Sequence, residues 1–169
     1  RRLVWKGSIS AWLFRDCGKT LNDIHMKYDW EIYFESKLKE LAVEDAVLDV
    51  GGGHPFQKYM EKHQWMFEGK KFETLDVSPL YKPTYIGDAE HLPFKDGSRR
   101  ALLCMSVLEH LTDPKKAVEE MHRVLQPGGK VLAYTHFIYP YHARPGVYDD
   151  FCRFTESQMR YLFRQVSHI

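Results

Sequence analysis

The sequence predicts a single α/β domain with a mostly parallel central sheet and helices on both of its faces. Three observations predict it. Short apolar runs of strand length alternate with longer stretches whose apolar residues recur every three to four positions, the order of βαβ units joined by right-handed crossovers. The first run, "AVLDV" (46–50), leads directly into Gly51-Gly52-Gly53, as a parallel strand does when it hands the chain to a ligand-binding turn. A later run, "ALLCMS" (101–106), is nearly all apolar, as a strand covered on both faces must be. The 169 residues are of one-domain length, enough to bury about two thirds of the unfolded surface, and no internal repeat or low-complexity tract divides them.

Residues 1–21 mix Trp5, Trp12 and Phe14 with Arg1, Arg2, Lys6 and Arg15 and read as an amino-terminal flap packed on the domain. Their apolar stretches are too short and interrupted to span a membrane; a basic, aromatic segment lying on a membrane surface is the alternative. Over 22–41, Ile24, Tyr28, Ile32, Phe34, Leu38 and Leu41 predict an amphipathic leading helix. After "AVLDV", Pro55 suits the first turn of a helix, where its missing N–H costs nothing. "KFETLDV" (71–77) is a second strand stopped by Ser78-Pro79, and "TYIGD" (84–88) a short third. "ALLCMS" is the fourth. Asp113-Pro114 read as N-cap and first residue of a helix whose face is Ala117, Val118, Met121, Val124 and Leu125, ended by Gln126-Pro127-Gly128-Gly129. "KVLAYT" (130–135) is a fifth strand, and Thr155 with Gln158 forms a capping box opening a last helix through Met159, Leu162 and Phe163.

Composition narrows the chemistry. A hydrophobic fraction of 44% and a charged fraction of 28% are those of an ordinary globular protein, and a net charge of +1 gives no electrostatic case for nucleic acid. Cys17, Cys104 and Cys152 are widely spaced with no C-x-x-C pair, so neither a disulfide framework nor a zinc knuckle is indicated and a cytoplasmic setting is expected.

In an open α/β sheet the ligand lies at the carboxyl ends of the strands. There the chain places Gly51, Gly52 and Gly53, then Asp76, then Asp88, then Ser106, Glu109 and His110. A dinucleotide site needs G-x-G-x-x-G, and Phe56 occupies the place of its last glycine; no lysine completes a P-loop. The acidic groups are poor company for a pyrophosphate, which disfavours a nicotinamide oxidoreductase. A ligand with ribose, adenine and a positive centre but no phosphate fits, and S-adenosylmethionine has those features.

"VLDVGGGHP" resembles the first motif of class I S-adenosylmethionine-dependent methyltransferases, with Asp49 as the acidic residue before Gly51-x-Gly53. "LDVS" resembles their second motif and implies Asp76, with Val77 beside it, at the ribose. "GDAEHLPF" is similar to the adenine-contacting segment, implying Asp88 at the amino group and Ala89 and Leu92 bordering the ring. "MSVLEHLTDP" and "RVLQPGGKVL" are similar to the next two blocks. Together they resemble a type 11-like methyltransferase domain over 46–135. The resemblance implies a Rossmann-like class I methyltransferase fold, S-adenosylmethionine as cofactor, and a sheet lacking the usual last two strands. "KVLAYT" would then be an exposed edge favouring self-association. "FIYPYHARPGVYDDFCRFT" resembles a stretch of a bacterial branch associated with polysaccharide and other small-molecule biosynthesis, which implies a small-molecule or saccharide-like acceptor. Arg99-Arg100 depart from the family's aromatic-Asp pair and are expected to alter only a surface contact.

Methyl transfer from a sulfonium asks mainly for alignment and exclusion of water, with a base only where the acceptor must lose a proton. His110, His136 and His142 follow strand ends on the ligand side and are the candidate bases; His110 reads equally as a structural helix-start residue. Glu109 is placed either to face the cofactor's charged groups or to cap the following turn. The loop 136–154 is long, aromatic and stiffened by Pro140 and Pro145, an acceptor-side lid carrying Tyr139, His142, Tyr148 and Arg153. Arg153 either pairs with Asp149 or Asp150 to hold the lid or binds an acceptor anion. A metal held by His136, His142, Asp149 and Asp150 lacks a recognised ligand spacing, and none is expected. Cys104 sits within a strand, where packing explains it. The expected function is methyl transfer, the alternative a non-catalytic cofactor-binding or scaffolding module of the same fold.

Overall fold

A computed structural model describes residues 29–165. The expected flap, the leading helix before residue 29 and residues 166–169 lie outside them. Five strands form one sheet in the order β3-β2-β1-β4-β5, every neighbouring pair parallel: β1 Ala46–Val50, β2 Lys71–Asp76, β3 Tyr85–Ile86, β4 Arg99–Met105 and β5 Leu125–Tyr134. The chain moves outward from β1 to β3, then returns to place β4 on the other side of β1. That reversal opens a crevice at the strands' carboxyl ends.

Alternation along β1 and β4 divides the core. Val47, Ala101, Leu103 and Met105 face helix α1 (Asp29–Leu41), which presents Phe34, Leu38 and Leu41 to them. Leu48, Val50, Leu102 and Cys104 face the other side, against α2 (Pro114–Val124) through Ala117, Val118 and Met121 and against Met159 of α3 (Glu156–Leu162) and Phe163. Helices thus cover both faces, as the sequence predicts. Ile32, expected on the apolar stripe of α1, is 53% exposed instead, because the buried stripe runs through Phe34, Leu38 and Leu41.

Local signals explain most boundaries. Asp113 caps α2 by accepting from the Lys116 N–H at 3.0 Å, with Pro114 as first residue. The Thr155/Gln158 capping box opens α3. Two expectations are corrected. Pro55 does not start a helix: a 3-10 stretch, Lys58–Phe67, begins after Gln57, because Phe56 turns into the left-handed region (φ 57°) and stacks on Phe72 with ring centroids 4.2 Å apart. Leu125 belongs to β5 rather than to α2, pairing with Arg99 before Gln126–Gly129 bulge out and regular pairing resumes at Lys130.

Arg99 is likewise more than a surface contact, while Arg100 makes the expected one. Arg99 lies over the Phe94 ring at 4.1 Å and donates to the buried carboxylate of Glu73 on β2 at 2.6 Å, while Tyr85 donates to the other Glu73 oxygen and Arg100 pairs with Glu44. Among the described residues no helix is long and apolar enough to cross a membrane.

Candidate functional site

The crevice is a cleft of about 660 Å³ lined from every strand end. Its floor at β1 is Asp49 and the glycine loop. Gly51 takes φ 75° and donates its N–H to the Leu75 carbonyl at 2.7 Å; a Cβ there would lie 2.3 Å from a Val107 methyl. A Cβ on Gly52 would lie 2.3 Å from the Asp49 carboxylate, and Gly53 (φ 58°) is buried. Gln57 reaches back to donate to the Gly52 carbonyl at 2.5 Å. Asp49 is buried, and its Oδ1 has no hydrogen-bond partner. Burial, aided by the negative charge of Asp76, pushes its carboxyl up to about 8.

Asp76 ends β2 on the same rim, its Oδ1 accepting from the Ser78 N–H at 2.8 Å, and Val77 beside it is 64% exposed towards the cleft. Asp88, with Ala89, follows β3; its carboxylate holds the turn by accepting from the Glu90 N–H at 2.8 Å and borders the cleft. Leu92 does not join them. It is buried in the α2-side core, its N–H bonded to Glu120 and its carbonyl to Arg123, so the turn at Leu92 is anchored to α2 and away from the ligand side.

The opposite end gathers the histidines. Ser106 follows β4 with φ 55°, a strained conformation for a non-glycine residue, and its Oγ lies 3.3 Å from His136 Nε2. His136 follows β5, its ring stacked on Tyr139 with centroids 4.2 Å apart and its Nδ1 3.4 Å from the Tyr134 hydroxyl. Burial holds its basicity below that of free histidine, against the opposing pull of Glu109. His110 meets the Asp149 carbonyl through Nδ1 at 2.6 Å and packs against the rings of Tyr148 and His142. His142 Nδ1 lies 3.0 Å from Asp150 Oδ2. His110, His136, His142, Tyr139 and Tyr148 all line the cleft.

Glu109 is fully buried and does not line the cleft. One carboxylate oxygen accepts from the Thr135 hydroxyl at 2.8 Å, and its backbone carbonyl accepts the Phe151 N–H. It therefore does more than cap a turn; it lies beneath His136, 3.7 Å from Nε2. Arg153 also stands off the cleft. Its guanidinium forks onto both oxygens of Asp150, whose side chain is almost fully buried, and donates to the carbonyls of Tyr139 and Pro140. This is the structural pairing, made with Asp150 and not Asp149. Arg153 draws the Asp150 carboxyl well below the usual carboxylate range. Cys104 is buried, and burial pushes its thiol up, which fits packing and not nucleophilic chemistry.

Sequence reasoning missed Thr135, Tyr134, Tyr81 and Arg144. Arg144 leaves the acceptor-side loop to donate to the Tyr81 hydroxyl at 2.8 Å, bridging the two rims. The signal available for Thr135 and Tyr134 was their place at the end of β5, directly before His136.

A family model described as a methyltransferase domain matches residues 65–133. This span runs from before β2 into β5 and contains Asp76, Asp88 and Glu109. Over these residues the chain is similar to methyltransferase domains. The domain is 35% identical over 109 residues to an uncharacterized methyltransferase of Mycobacterium sp. (strain KMS), covering 57% of this chain and 41% of that protein. It is 41% identical over 114 residues to the uncharacterized methyltransferase YcgJ of Bacillus subtilis (strain 168), covering 60% and 44%. The chain thus spans less than half the length of these relatives. Its fold is that of the S-adenosylmethionine-dependent methyltransferase from Mesorhizobium loti (TM-score 0.55, 14% identity, 79% of this chain and 80% of that one). The crystal structure of Bacillus subtilis YcgJ is also similar (TM-score 0.53, 20% identity, 82% and 68%).

Proposed function

We propose that this domain transfers a methyl group from S-adenosylmethionine to a small-molecule acceptor, of saccharide-like or similar polar character. One observation carries the reading: a single cleft has two chemically distinct ends, carboxylates and glycines at β1–β3 and imidazoles with tyrosines at β4–β5. The residues fit the cofactor. The unpartnered Asp49 oxygen is a buried acceptor awaiting a cationic or N–H donor, and the glycines leave space that any side chain would fill. Asp76 presents a carboxylate for vicinal hydroxyls, and Asp88 one for an exocyclic amine. When bound, the cofactor supplies a methyl carbon on a positively charged sulfur that leaves as a neutral thioether.

The protein's own task is alignment. Tyr139 and Tyr148 wall the acceptor end, and His110, His136 and His142 are placed to hold the acceptor and to receive a proton where one must leave. Arg153, through Asp150, keeps the loop bearing His142 in place.

Thermal-shift and calorimetric titrations test the cofactor assignment: S-adenosylmethionine and S-adenosylhomocysteine should raise the Tm while NAD does not. Asp76→Ala should weaken binding by about 1.5–3 kcal/mol. An acceptor screen that detects S-adenosylhomocysteine then tests turnover; binding without turnover on any acceptor class would favour the non-catalytic alternative. His142→Ala should depress methyl transfer while leaving cofactor affinity within a factor of a few.

A further inference from the structure

We infer that Glu109, His136 and His142 form a binding site for a divalent transition-metal ion of the zinc class at the acceptor end of the cleft. One ligand atom from each lies within 4.8 Å of the other two. They come from different segments, Glu109 from the turn after β4 and the histidines from the loop after β5.

Each ligand is oriented by a further group. Thr135 donates to Glu109 Oε2, which leaves Oε1, fully buried and without a hydrogen-bond partner, facing His136 Nε2 at 3.7 Å. An orphaned carboxylate oxygen at such depth is costly unless a cation completes it. His142 Nδ1 lies 3.0 Å from Asp150 Oδ2 and 3.1 Å from the Pro140 carbonyl. The one donor there, the Arg153 guanidinium, stands farther off at 3.4 Å and is itself engaged by Asp150, so the two closer acceptors make Nδ1 the N–H and leave the lone pair on Nε2, the carboxylate–histidine arrangement that fixes metal-binding imidazoles. Arg153 in turn holds Asp150. The Ser106 hydroxyl, near His136 Nε2, is the group the ion would displace.

Two imidazoles and one carboxylate suit zinc or a related ion and not magnesium or calcium, which take oxygen ligands. The ligand atoms span up to 4.8 Å, against roughly 3.3 Å around a tetrahedral zinc, so the loop bearing His142 closes inward on binding. Glu109 lies behind the lining, 3.7 Å from His136 Nε2, while both histidines line the cleft, so the remaining coordination position opens towards the acceptor. Resting on the methyl-transfer reading above, that position takes an oxygen of the acceptor; the binding of the ion itself does not depend on that reading.

The test is titration of chelator-treated protein with Zn²⁺ by calorimetry and with Co²⁺ by visible absorption. Expected are one ion per chain and a cobalt spectrum of low-coordinate nitrogen/oxygen ligation. Glu109→Gln and His142→Ala should each weaken binding by tenfold or more, and Asp150→Asn by about 10–100-fold through loss of His142 orientation. Should Glu109→Gln not fold, as circular dichroism would show, His142→Ala on the loop carries the test. Absence of binding, or affinity in His136→Ala and His142→Ala unchanged from that of the unmodified protein, overturns the site and leaves Glu109 as a partner of a protonated His136. S-adenosylhomocysteine titrated into the same samples separates the two proposals. Cofactor binding without zinc binding sinks only the metal site, and zinc binding without cofactor binding sinks only the methyl-transfer reading.

Discussion

On the proposed reading, in which an ionised Asp49 meets a cationic group of the cofactor, Asp49 should make cofactor affinity depend on pH, because burial beside Asp76 raises its carboxyl to about 8. Roughly one chain in a hundred carries the carboxylate at a pH two units below that value, so affinity should climb about tenfold per unit, near 2.7 kcal/mol between about pH 5 and pH 7. Binding must then release close to one proton in that range. Calorimetry with S-adenosylhomocysteine in two buffers of different ionisation enthalpy counts that proton, and Asp49→Asn should flatten the slope while weakening binding at neutral pH. A flat profile in the unmodified protein, or the same slope in the variant, would refute the reasoning. The linkage also acts on the ligand-free fold. With its folded value raised, Asp49 favours the native state most below the ordinary carboxylate range, and that contribution is lost as pH rises towards about 8. Asp49→Asn should therefore raise the ligand-free Tm at pH 8 and leave it unchanged near pH 4.

Gly52→Ala should cut cofactor affinity at least tenfold with the fold intact by circular dichroism, since its Cβ would meet the Asp49 carboxylate at 2.3 Å. Glu73→Ala should cost about 3–5 kcal/mol in denaturant unfolding, because it leaves Arg99 without its buried partner. Asp150 is held below its ordinary value by Arg153, so its contribution to the acceptor-side loop is present above about pH 4 and lost as pH falls further. Pepsin should then cut within 136–153 faster as the acid range deepens, and Asp150→Asn should expose the same segment to protease at neutral pH.

The strands were legible because their signal is local: apolar runs closed by glycine, proline or aspartate. The caps of α2 and α3 were legible for the same reason, since Asp113 and Thr155 act on backbone within a single turn. Pro55 misled because the turn it occupies is decided by Phe56 stacking on Phe72, sixteen positions away in sequence. Leu92 misled because its backbone is claimed by Glu120 and Arg123 of α2. Glu109 showed its place at a strand end but not its depth, which follows from Thr135 and Phe151 closing over it. The set of ligand-capable groups was half legible. His136 and His142 stood out by type and position, whereas Asp150, weighed beside them for a metal that was not expected, is committed to Arg153, and the carboxylate that lies 3.7 Å from His136 Nε2 is that of Glu109.

The strand order β3-β2-β1-β4-β5 puts the glycines and carboxylates after β1, β2 and β3 on one half of the sheet and the cleft-lining histidines on the other, with the seam between β1 and β4. The two halves can therefore diverge separately: the segment after β5 can be exchanged for one reading a different acceptor without retuning the carboxylates after β1, β2 and β3. Energetically the halves should behave as independent modules, so that paired substitutions such as Asp76→Ala with His142→Ala add within about 0.5 kcal/mol in cofactor binding. The Arg144–Tyr81 hydrogen bond, which crosses the seam at the rim, is where such additivity should first fail.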